Sequence, residues 1–68
     1  MSINTKTLND FNNIKNNAES FSQYQSNILE YLKSDNLLNH EQKVLIEDIA
    51  LYPDIDDIDY NHQLIISL

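Results

Sequence analysis

Sixty-eight residues with a net charge of −7 and neither cysteine nor glycine narrow the field at once. A chain this short makes one domain, buries only about 60% of the surface it exposes when unfolded, and has no disulfide or thiolate zinc site to support it. A partner chain is the economical completion. Four lysines and no arginine against eleven acids disfavour nucleic acid and anionic membrane as partners, and favour a basic protein surface or a site built to hold phosphate.

The charge is uneven. Residues 1–34 net to zero, whereas residues 35–68 carry the whole −7. The start of the chain, Met-Ser-Ile-Asn-Thr-Lys, has no apolar core of signal-peptide length behind it, and no apolar run approaches the ~20 residues of a membrane span. With no cysteine, a cytoplasmic location is expected.

Residues 1–6 are expected to be poorly ordered. From Thr7 to Lys33 apolar residues recur at helical spacing: Leu8, Phe11, Ile14, Ala18, Phe21, Tyr24, Ile28 and Leu32. As one helix this region would be about 40 Å long, against an expected radius of gyration near ~11 Å. It must break or be covered by another chain. Asn16-Asn17-Ala18-Glu19 has the form of a capping box, so a firm helix is expected from about Asn17 to Lys33, preceded by a weaker one from about Thr7. Six asparagines between Asn4 and Asn17 weaken that first segment.

Ser34-Asp35-Asn36 reads as a turn, with Leu37-Leu38 tucking under the helices. Asn39-His40-Glu41-Gln42 is a second capping box. The helix it opens runs through Val44, Leu45, Ile46, Ile49 and Tyr52 and ends at Pro53, because the residue before proline is driven from the α region. Asp54 then caps a further helix from Ile55, with Ile55, Ile58, His62 and Ile65 on one face. A strand over Leu64–Leu68 is the rival, but the pattern does not alternate and lacks a strand partner. The terminal Leu68 is expected to pack.

Chemistry is sparse. Asp57-x-Asp59-x-Asn61 supplies the first three positions of a calcium loop, but His62 stands where glycine makes the turn and Leu68 where glutamate closes the site, so no metal site is expected. His40 and His62 sit in no motif. Nothing resembles an activated nucleophile, the absence of glycine removes phosphate-cradling loops, and so small a domain offers little volume in which to desolvate a carboxylate. No catalytic residue, no cofactor and no enzyme activity are expected.

What stands out is Asp48–Asn61, which holds the single proline, two tyrosines and a run of acids. Tyrosines among acids suit recognition, since the ring gives contact area at low entropic cost and the charge speeds encounter. Asp48-x-x-x-Tyr52-Pro53 followed by Asp56-Asp57 resembles the acidic Tyr-Pro segment through which immunity proteins of nuclease bacteriocins cover their toxins. The chain departs from those proteins in being shorter, in having one tyrosine rather than two before the proline, and in lacking their Gly-rich and Trp-containing C-terminal part. The resemblance is thus an analogy of mechanism.

The expected architecture is all-α: a small bundle of three helices, or four if the N-terminal region breaks near Asn16, with a long N-terminal helical region, a helical hairpin and a short C-terminal helix. The expected function is binding, as an acidic inhibitor or immunity-type protein that occludes a basic, nucleic-acid-binding type of surface on a target. Asp54, Asp56, Asp57 and Asp59 would steer and pair, and Tyr52 and Tyr60 would anchor. Asp54 and Asp57 have a local reason in helix initiation, which makes Asp56 and Asp59 the sharper candidates. Small size and an Asn/Ile-rich composition suggest a bacterial or phage source. The alternative is a homo-oligomeric adaptor or regulatory subunit, a homodimer in its simplest form, assembled through Phe11, Ile14, Phe21, Ile28 and Leu32.

Overall fold

The computed structural model describes residues 3–68. Four helices follow in order, α1 over Thr5–Asn17, α2 over Phe21–Lys33, α3 over His40–Leu51 and α4 over Ile58–Ile66. Helix α1 packs beside α2 and α4, and α3 beside the same two, so the helices close a ring around one core. The radius of gyration is 10.7 Å and the longest extent 26 Å. A helix of ~27 residues would overrun that length by roughly half, which is why the N-terminal region breaks.

The break falls at Ala18–Ser20, later than the capping box at Asn16 predicts. Asn16 lies inside the last turn of α1, and Ser20 is the cap of α2, its hydroxyl accepting from Gln23 N at 3.1 Å. Gln23 returns the contact by accepting from Glu19 N at 2.6 Å. This register leaves Lys15 in the last turn of α1, where the helix dipole favours a cation. Helix α1 also begins earlier than expected, at Thr5, because the Asn4 side chain accepts from Lys6 N at 2.8 Å. Of the expected loose start at residues 1–6, Met1 and Ser2 lie outside the described residues, while Asn4–Lys6 form this capped turn.

Phe11, Tyr24, Ile28, Leu38, Ile46, Ala50 and Ile65 make the core. Burying each large side chain contributes about 1.5–3 kcal/mol. Gln25 interrupts the apolar stripe of α2 for a reason: its amide donates to Ala50 O near the C-terminal end of α3, satisfying a carbonyl that the helix leaves open. Tyr31 ties α2 to α1 by donating to Asp10 at 2.7 Å.

The turn after α2 is held by Asn36, which donates to Tyr31 O and Ser34 O and accepts from Leu38 N. That geometry turns Leu38 inward and leaves Leu37 exposed, so only one of the two leucines tucks under the helices. The Asn39–Gln42 capping box forms as expected, with Glu41 in the first turn of α3. The C-terminal segment is helix to Ile66, and Leu68 packs partly against the core. No described residue has positive φ. Every reversal is made by side-chain caps, which is how the chain manages without glycine.

Candidate functional site

The cap at the last corner is Asp57, not Asp54. Its carboxylate accepts from Tyr60 N at 3.3 Å and α4 opens at Ile58, one turn later than the expected start at Ile55. The physical reason is Asn61. It is 1% exposed, and its side-chain amide donates to Ile55 O at 2.8 Å and Asp57 O at 2.7 Å. These two bonds hold residues 55–57 as a strap across the start of α4. Ile55 is therefore lifted off the core face that Ile58 and Ile65 share and stands 54% exposed.

Between the end of α3 and α4 the strap leaves a groove of about 320 Å³, lined by Asp48, Ile49, Tyr52, Pro53, Asp54, Asn61 and Leu64. Tyr52 caps the C-terminus of α3 and is 76% exposed. Asp48 reaches the groove because it precedes Tyr52 by one helical turn. It also sits in the last turn of α3, where the dipole disfavours an acid by about 0.3–1 kcal/mol. Two ion pairs occur among the described residues, Lys6 with Asp10 and Lys15 with Asp59. Neither engages Asp48, Asp54 or Asp56.

The sequence-predicted site residues are divided by the fold. Tyr52 and Asp54 share the groove just described, whereas Asp56, Asp57 and Asp59 line a separate hollow with Lys15, Asn16 and Phe21. Tyr60 is partly exposed on α4 and lines neither. Asp59 has a structural occupation, a 3.2 Å pair with Lys15 at an exposed position. Of the two sharper candidates Asp56 alone has no local partner among the described residues. Asp57, Asp59 and Asn61 do not converge: one caps a helix, one meets a lysine and one is buried. No cluster of described His, Asp or Glu residues is placed to hold a metal ion.

The sequence reading placed Asp48 and Asn61 in the recognition segment without making either a binding residue, and it missed Leu64. The Asp48–Tyr52 spacing was a usable signal, but nothing in the sequence marks Asn61 as the buried residue that shapes the strap.

A second groove of about 490 Å³ runs between α2 and α3, floored by Leu29, Leu32, Val44 and Leu51 and rimmed by Lys33, His40, Lys43 and Glu47. The stripe proposed for self-assembly lies mostly elsewhere. Phe11 and Ile28 are fully enclosed in the chain's own core, with Ile14, Phe21 and Leu32 packed partly against it. An interface using all five would require the core to open.

Among the described residues, three buried polar atoms have no hydrogen-bond partner: Tyr24 Oη, Asn61 Oδ1 and His62 Nδ1. His62 Nε2 lies 2.9 Å from Asn12 Oδ1, an acceptor, so the neutral ring carries its proton on Nε2 and presents a bare Nδ1 to the core. Tyr24 meets this ring edge-on at 6.4 Å. Burial pushes the Tyr24 phenol up to about 12. Burial, aided by Lys15 and opposed by Asp59, lowers His62 below the ordinary histidine value. The hydrogen bond from Tyr31, with Lys6 beside it, holds Asp10 below the usual carboxylate range. Tyr24 and His62 are enclosed on all sides, which keeps them from any substrate.

None of the described helices is long and apolar enough to cross a membrane. Comparison with family models, with curated proteins and with solved structures found no match to this chain.

Proposed function

We propose that the chain is a small acidic protein-binding module whose α3–α4 corner covers a basic surface on a target protein, acting as an inhibitor or immunity-type protein. The observation that carries this reading is the corner itself. Tyr52 and Ile55, both large and apolar, stand more than half exposed among Asp48, Asp54 and Asp56, carboxylates free of either ion pair. An exposed aromatic anchor ringed by uncommitted charge is the arrangement that combines steering with a desolvated contact. Solubility alone would ask for charge without the exposed apolar residues.

The test is capture of binding proteins from a source lysate at low salt, repeated with Asp48, Asp54 and Asp56 changed to Asn and separately with Tyr52→Ala. The reading expects a basic protein that wild type retains and both variants lose. Equal retention by the charge-neutralised variant at ~0.5 M salt, where charge is screened within a few ångströms, would rule it out.

Self-association is a second reading, favoured by one observation. Val44 and Leu51 expose apolar surface beside Leu29 and Leu32 in the α2–α3 groove. A homodimer in this reading uses that groove, and of the originally expected interface it retains Leu32. Sedimentation across a range of concentrations decides it: a dimer that dissociates on Val44→Asp supports self-association, and a monomer throughout removes it.

A further inference from the structure

Resting on the protein-binding reading above, we infer that the groove between α3 and α4 is a receptor for a single arginine side chain of the target. Its floor and its rim have different chemistries, and an arginine side chain matches both. Ile49, Pro53 and Leu64 supply apolar surface for three methylenes, which a long cationic side chain lays down while keeping its head near water. Asp48 comes from α3 and Asp54 from the loop that leads into the strap, so carboxylates reach the groove from two separate segments. The exposed Tyr52 ring offers a face on which a planar guanidinium stacks, a contact that an ammonium makes less well.

Two further observations concern the wall of the groove and the charge on its rim. Asn61 closes the groove from α4 while almost wholly buried, and because both of its amide hydrogens are committed to Ile55 O and Asp57 O, it fixes the strap that follows Asp54. The amide cannot be turned over without losing both bonds. Asp48, in turn, occupies the helix end at which an acid is unfavourable. Its position has a cost to the fold that a bound cation would reverse. At about 320 Å³ the groove lies at the lower end of the range for small-molecule sites and suits one side chain, not a folded element.

The experiment titrates the isotope-labelled full chain with N-acetyl-arginine amide and with N-acetyl-citrulline amide, its neutral near-isostere, while following backbone amide resonances. The arginine compound is expected to move a contiguous set at residues 48–54 and 61–64 along one saturable curve. Citrulline amide is expected to bind at least about tenfold more weakly, the factor that one lost charge-assisted hydrogen bond represents. Asp48→Asn and Asp54→Asn should each weaken the arginine compound by a similar factor. Both positions are exposed and neither caps a helix, so these variants keep the fold, and unchanged resonances in α1 and α2 verify it.

Shifts spread equally over Glu19, Glu30 and Glu41, or equal binding of citrulline amide, overturn the inference. Those results leave the protein-binding reading intact if target capture still depends on Asp48, Asp54 and Asp56. Saturable binding in the groove together with charge-independent capture has the opposite meaning, since the groove then takes arginine and the broader reading fails.

Discussion

Replacing Tyr24 by Phe should stabilise this protein, although Tyr24 is one of the largest side chains of the core. Its hydroxyl is buried and has no partner among the described residues. Such a group forfeits its hydration, at a cost of about 1–3 kcal/mol. Deleting one oxygen leaves a void smaller than a methyl group, for which less than about 1 kcal/mol is lost. The balance is a gain of about 1 kcal/mol, or a rise in Tm of about 4–8 °C for a domain of this size.

Alkaline pH supplies an independent check on the same atom. The phenol is raised from 10 to about 12 in the folded state, so its contribution is whole below pH 10 and is lost as pH rises toward the folded value. Each pH unit in that window costs the wild type about 1.4 kcal/mol relative to the variant. Urea melts of the two proteins at neutral pH and at intervals above pH 10 measure both effects. Tyr31 titrates in both proteins and cancels. A variant destabilised by more than about 1 kcal/mol at neutral pH, with a gap that fails to widen above pH 10, would show that the hydroxyl has a partner and that the reasoning is wrong.

Acid should act through His62. Its folded pKa is lowered, so the unfolded chain binds the proton better. Stability is complete above about pH 6.5, the unfolded value, and falls as pH drops toward the folded one. Urea midpoints between about pH 8 and 5 should show this slope, and His62→Gln should flatten it. Asn61→Ala frees the strap and should cost about 2 kcal/mol by chemical denaturation, since two carbonyls lose their donor. Asn61→Asp should cost more, because a carboxylate in the same place faces both carbonyls with no hydrogen to give. Asp48→Asn should raise stability by about 0.3–1 kcal/mol through the helix dipole, measured as a higher urea midpoint in the same protein that loses affinity for the arginine compound.

Much of the secondary structure could be read from the residues. Periodicity marked the helices, and length against expected compactness required the N-terminal region either to break or to be covered by another chain. The Asn39–Gln42 box and Pro53 bounded α3 to within a residue, because a cap and a proline act on the backbone beside them. The two misplaced caps, at the α1–α2 break and at the start of α4, share one cause. Asn16 and Ser20 are both competent caps, as are Asp54 and Asp57, and local preference cannot choose between competitors of nearly equal strength.

The folded structure made those choices. Asn61, reaching back across six residues to Ile55 O, selects Asp57 as the cap and lifts Ile55 into water. The same strap sends Asp54 to one groove and Asp56 and Asp59 to another hollow, though all lie within six positions of the chain. By itself, the sequence favoured helix over the rival strand at Leu64–Leu68 and determined that the charge lies in the second half, since periodicity and composition are properties of the residues in order. Which carboxylates stand together, beside which exposed ring and over which apolar floor, was decided only by packing, because it depends on residues far apart in the chain competing for one small core.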